Sequence, residues 1–144
     1  MMSLGIGRPA LLSLSKVIEE NKKEYYTTLG KAQTSNEVTD WVRYFCHTAL
    51  EAQKYAEKMV GFVVMRVKFF DELGDRINPR QEKALQRMFE AGPEGFEGGM
   101  TAKKYISLTG ASKATATRDL QELLELDALI RVGAGRSTRY DLNV

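Results

Sequence analysis

The stretch that decides the fold runs from position 100 to the end: MTAKKYISLTG (100–110), ASKATATRDLQELLELDA (111–128) and LIRVGAGRSTRYDLNV (129–144). Thr101 can cap a helix holding Tyr105, Ile106 and Leu108. Thr109-Gly110-Ala111 makes a tight turn, in which small residues let two helices meet steeply without clash. Ser112 then caps a second helix whose Ala116, Leu120, Leu123 and Leu124 face inward. Two short alternating runs follow, Leu129–Val132 and 138–142, around the tip Gly133-Ala134-Gly135-Arg136-Ser137. Ile130 and Val132 are expected to point inward, alternating with Arg131, and Tyr140 and Leu142 to alternate with Arg139 and Asp141. That pattern describes a half-buried hairpin. Upstream, Asn78-Pro79 opens another amphipathic helix carrying Ala84, Leu85, Met88 and Phe89, with Gln81 completing a capping box. Helix, helix, turn, helix and hairpin in this order read as a winged helix-turn-helix over residues 78–144.

The second helix of that turn can project into a major groove. Its expected outward residues are Ser112, Lys113, Thr115, Thr117, Arg118 and Gln121. Lys113 and Arg118 suit phosphates or guanine edges, Gln121 suits adenine, and the threonines suit phosphate or a thymine methyl. On the wing, Arg136, Ser137, Thr138 and Arg139 are placed to grip phosphates or a minor groove. The electrostatic support is slender. Between positions 100 and 144 seven lysines and arginines stand against five acids, and the whole chain carries +2. Asp119, Glu122, Glu125 and Asp127 share the second helix or its end and would repel DNA if they faced it. The alternative use is a protein-interaction or dimerisation module without DNA binding.

Residues 1–77 read as a long helical hairpin. Residues 1–7 read as a loose leader. Arg8-Pro9 begins a helix that continues to about Gln33, with Leu11, Leu14, Ile18, Tyr25, Leu29 and Ala32 on one face. Thr39 is the expected cap of a much longer helix, and Asp40 favours its positive end. Along that helix Val42, Phe45, Ala49, Ala52, Ala56, Met59, Val63, Val67 and Phe70 recur at three or four. Tyr55, Phe62 and Phe69 add a stripe repeating every seven. Two stripes make a face wider than one partner helix can cover. The remainder is expected to bury against another chain, another domain or a further part of the same protein, and a homodimer through this face follows. The segment 92–99, with four glycines, reads as a flexible loop.

The totals exclude several functions. The 43% apolar and 28% charged composition is that of an ordinary globular protein. No stretch reaches the roughly 18 apolar residues of a membrane span, and the cytoplasm is the expected compartment. The single cysteine, Cys46, forbids an internal disulfide and reads as a buried thiol. The lone His47 reads as packed or surface helix, and no Cys/His cluster has metal spacing. Trp41 and the tyrosines read as core. Gly5-Ile6-Gly7 lacks a preceding strand, so it is no dinucleotide fingerprint. The chain is therefore expected to be no enzyme, with no cofactor of its own.

The run Arg8-Pro9 … Leu12-Ser13-Leu14-Ser15 … Glu20-Asn21-Lys22-Lys23-Glu24-Tyr25-Tyr26 … Trp41 resembles the C-terminal helices of Fic-domain proteins. The ending Arg136-Ser137-Thr138-Arg139-Tyr140-Asp141-Leu142 resembles the winged helix that closes many bacterial members. The resemblance implies a C-terminal, non-catalytic region of a protein adenylyltransferase. The family's motif H-x-F-x-D-G-N-G-R-x-x-R, with the ATP and Mg it handles, has no counterpart in this chain. His47 does not match it. The implied partners are the Fic core or a protein target.

Overall fold

The computed structural model describes residues 8–144, apart from the side chains of 8–12 and of Arg136. The leader read at 1–7, the side chains of Arg8, Pro9 and Leu11, and the expected wing contact Arg136 lie outside the described residues. The fold is mainly helical with one small antiparallel sheet: α1 (Arg8–Glu20), α2 (Lys22–Gln33), α3 (Thr39–Leu73), α4 (Pro79–Phe89), α5 (Ala102–Thr109), α6 (Lys113–Glu125), β1 (Leu129–Val132) and β2 (Arg139–Leu142). Contacts gather the chain into two compact units, Met1–Val60 and Gly61–Val144.

In the first unit, the helix expected to run unbroken to Gln33 is interrupted at Asn21. Its backbone sits at φ −113°, ψ 27°, and its Nδ2 donates to the Val17 carbonyl at 3.0 Å. A side chain that bonds its own preceding turn competes with the helix ladder. Thr39 is the first helical residue rather than the cap; its N–H is taken by Glu37 Oε1 at 2.8 Å. The helices pair as an antiparallel hairpin, since Tyr25 meets Trp41 at 5.5 Å while Lys16 Nζ sits 3.9 Å over the ring of Tyr55. Among the described residues of this unit, Ser13, Tyr44, Thr48 and Ala52 are buried. Trp41 stacks on Tyr44, but Tyr26 is 61% exposed and so is not core. Cys46 is exposed too, against expectation, because two residues past Tyr44 the helix has turned about 200° away from that buried side.

The second unit takes in the end of α3. Phe69 and Leu73 are buried with Leu85, Phe89, Tyr105, Leu120 and Leu123. Phe89 stands 5.7, 5.1 and 5.6 Å from Phe62, Phe69 and Phe70. Phe62 and Phe69 of the seven-residue stripe thus find their cover in α4. The winged-helix core begins before Asn78, since a three-residue 3-10 turn, Gly74–Arg76, joins α3 to α4 without releasing it. Asn78 Oδ1 accepts from the N–H groups of Arg80 and Gln81, and Gln81 Oε1 accepts from the Asn78 N–H, the reciprocal box read from the sequence. Gly110 ends α5 at φ 72°, where a side chain is disfavoured, and Ser112 caps α6 through the Thr115 N–H.

The 92–99 segment is built of defined turns rather than loose coil. Its four glycines all have positive φ, and hydrogen bonds from Gly95 to Gly92 and from Gly99 to Phe96 close it. It delivers the chain to Met100, which exchanges both backbone hydrogen bonds with Tyr140 at 2.7 and 2.8 Å. In the wing, Leu129 pairs with Leu142, Ile130 with Asp141, Arg131 with Tyr140 and Val132 with Arg139. Directly paired residues share a face. Leu129 is therefore inward with Leu142, and Ile130 is 45% exposed. The expected phase of β1 is corrected by one residue, and the reason is the register: inward Ile130 would have carried Asp141 in with it.

Candidate nucleic-acid interface

Helix α6 divides cleanly into two faces. Ala116, Asp119, Leu120 and Leu123 are buried. Lys113, Ala114, Thr117, Arg118 and Gln121 are exposed, with Lys113, Thr117 and Gln121 in one row at intervals of four. Asp119, one of the four acids that would repel DNA if they faced it, does not face outward. Its Oδ2 accepts from Arg80 Nε at 2.9 Å and from the Tyr105 hydroxyl at 2.9 Å. Its Oδ1 accepts from Arg80 Nη2 at 3.2 Å and Asn78 Nδ2 at 3.3 Å. Gln81 Nε2 completes the knot on the Asp119 carbonyl at 3.1 Å and Glu122 Oε2 at 2.8 Å. The charge is thus neutralised inside the protein, and α6 is clamped to the start of α4 and to α5.

Electrostatics follow from those contacts. Burial pushes the Asp119 carboxyl up, but the hydrogen bonds from Arg80 and Tyr105 and the guanidinium charge outweigh it and hold the group below its ordinary range. Burial, then the hydrogen bond to Asp119, lifts the Tyr105 phenol well above its ordinary value. Arg80 is raised by its hydrogen bond to Asp119. None of these three was a candidate in the sequence, where their separation by up to 39 positions hides the pairing.

The other acids lie toward the far end of α6. Glu122 is half-buried, held by Gln81 and 3.7 Å from Arg118 Nε. Glu125 accepts from Gln121 Nε2 at 3.2 Å, and Asp127 lies beyond the helix at φ 54°. The first turn and a half, from Ser112 to Arg118, is left with two cations and no outward acid, at the positive end of the helix.

Several expected contact residues have local duties. Ser112 Oγ caps the helix and shares a 2.9 Å hydrogen bond with Thr115 Oγ1, leaving Thr115 half-buried. The Thr117 hydroxyl donates to the Lys113 carbonyl. On the wing, Ser137 and Thr138 donate to the Ala134 and Gly135 carbonyls. Their protons are spent inside the turn, so the phosphate donors in place are Lys113, Arg118 and Arg139, the last 3.8 Å from Asp141. Lys103 and Arg131 are further exposed cations outside the expected set. Lys104 instead donates to the carbonyls of Glu97 and Gly99 and lies 4.6 Å over Phe96, pinning the glycine segment.

Among the described residues no group of three or more His, Cys, Asp or Glu is placed to hold a metal ion, and no helix is long and apolar enough to cross a membrane. No curated protein matches the chain. A family model described as "Transcriptional regulator DIP2311-like, C-terminal domain" matches residues 97–143. Over α5, α6 and the wing, the chain is therefore similar to the C-terminal domain of a transcriptional regulator.

Proposed function

We propose that the second unit is the DNA-binding module of a cytoplasmic regulatory protein. The first half of α6 enters the major groove, and the wing rests on the flanking backbone. One observation carries the reading: Asp119 is folded into the core, leaving Lys113, Thr117, Arg118 and Gln121 on an outward surface without an opposing acid at its leading end. The similarity of 97–143 to a regulator domain supports the same use.

Fluorescence anisotropy with labelled duplexes at low salt tests it. With two to four phosphate contacts, about 10- to 100-fold of affinity is lost between 50 and 200 mM salt. Lys113→Ala with Arg118→Ala weakens binding at low salt. Equal retention of the wild type and the double variant refutes the role of α6. A finer assignment rests on the run Arg8-Pro9 … Trp41: the module is appended to a Fic-type, AMP-transferring core and regulates it. The coding sequence upstream of Met1 tests this. An in-frame H-x-F-x-D-G-N-G-R supports the assignment, and an unrelated upstream sequence overturns it.

A further inference from the structure

Four valines of α3, Val60, Val63, Val64 and Val67, are each 48–56% exposed. They fall at i, i+3, i+4 and i+7, a single strip on one side of the helix. On the opposite side Phe62 and Phe69 meet Phe89. Lettered as a heptad with Val60 and Val67 at a and Val63 at d, α3 keeps the spacing back to its start. Val42, Ala49 and Ala56 fall at d, Cys46 and Gln53 at a, and the strip ends at Val67, because Phe70, the next d residue, lies 5.6 Å from Phe89 of its own protomer. Phe62 and Phe69 fall at c, the far side from such a seam. Val42 is 52% exposed, so the strip is uncovered at both ends of α3. Alternating three- and four-residue spacing over four heptads is the pattern one helix presents to another of its own kind, with β-branched residues at a favouring two strands.

We propose that a second copy of this chain covers this strip, its α3 running parallel and in register. The flanking positions decide the orientation. In a parallel pair each g residue lies beside the e residue five positions on in its partner. That sets Phe45 beside the partner's Leu50, Ala52 beside the partner's Glu57, Met59 beside the partner's Val64, and Arg66 beside the partner's Asp71. Two apolar contacts, one ion pair and one contact of a carboxylate with an alanine that its own protomer already buries result, each formed twice by symmetry. The antiparallel arrangement that stacks Val42 on the partner's Val67 puts Phe45 beside the partner's Arg66 and Leu50 beside the partner's Glu57, so charges are set against apolar side chains. Within the protomer neither Arg66 nor Asp71 is in an ion pair among the described residues. Gln53 is the single strongly polar residue at a, a position where such a residue fixes register. The inference is independent of DNA binding.

Sedimentation equilibrium of the whole chain, reduced and without DNA, is the first test: a mass of about twice 16.2 kDa is expected. Val63→Glu with Val67→Glu gives the single-chain mass, and unchanged circular dichroism shows that the protomer remains folded. Arg66→Glu alone weakens the dimer on the order of tenfold, and adding Asp71→Arg restores it. Cys46 reports the orientation. In a parallel pair it meets the partner's Cys46 within disulfide reach, so mild oxidation yields a covalent dimer that Cys46→Ala abolishes. In the antiparallel pair Cys46 lies opposite the partner's Val63, and the two thiols are about 25 Å apart at 1.5 Å per residue. A monomer at 100 µM overturns the proposal, including the case in which another protein occupies the strip. A dimer that survives the two glutamates overturns the seam, and a dimer that fails to cross-link overturns the parallel register.

Discussion

Replacing Asp119 by alanine removes the acceptor of four side-chain hydrogen bonds from three residues. The cost can be worked group by group. Tyr105 is fully buried, and its hydroxyl would be left without a partner, which costs about 1–3 kcal/mol. The lost bond from half-buried Asn78 adds about 1 kcal/mol. Arg80 contributes little to the total, because its side chain is 40% exposed and returns to water when released. A loss of about 2–4 kcal/mol is expected, large against a typical stability of about 5–15 kcal/mol yet compatible with folding. Native-state hydrogen exchange at the amides of α5 and α6 reads this unit separately from the helices before it. A double-variant cycle sharpens the test. Tyr105→Phe costs about 1–2 kcal/mol in the parent but recovers about 1–3 kcal/mol beside Asp119→Ala, where the hydroxyl is stranded, giving a coupling on the order of 2–5 kcal/mol. Asp119→Ala within about 0.5 kcal/mol of the parent, or an additive cycle, refutes the account of the buried knot.

Acid should reveal the same carboxylate. Its folded pKa is depressed, so its stabilising contribution is present above the ordinary value of about 4 and is lost as pH falls through the lower folded value. The stability gap between the parent and Asp119→Asn therefore closes on going from about pH 5 to pH 2, as followed by chemical denaturation across that range. Gly99→Ala should cost about 1–3 kcal/mol, because Gly99 sits at φ +61° and a Cβ there lies 2.5 Å from Asp141 Oδ1 and 3.1 Å from the Tyr140 carbonyl. Gly95→Ala, at φ +86° in open space, should lose about 1 kcal/mol from backbone strain alone. Thermal unfolding of the two variants side by side checks the difference.

The order of elements from Asn78 onward was legible because each boundary carries its own chemistry. Asn78 with Gln81, Thr101, Gly110 and Ser112 are local signals that act within a few residues. What escaped the sequence depended on distant partners. The burial of Asp119 was hidden because nothing within a turn of it announces Arg80 or Tyr105. The phase of β1 was ambiguous because Leu129-Ile130-Arg131-Val132 offers apolar residues to both faces, and only the pairing with 139–142 selects Leu129. Asn21 interrupts a helix whose apolar spacing continues on both sides, so periodicity alone runs through the break. Cys46 looked buried because its neighbours are apolar, whereas Tyr44 and Thr48 are the residues that α3 turns inward there.

The separation of α6 into a clamped side and an outward side has an evolutionary consequence. Ala116, Asp119, Leu120 and Leu123 hold the helix in place, while Lys113, Ala114, Thr117, Arg118 and Gln121 support none of the buried packing. Mutational drift can rewrite the outward letters almost freely while the scaffold stays unaltered. A gene duplicate could acquire a new target by changing a handful of codons. A laboratory library randomised at those five positions would sample new specificities from a population that remains folded.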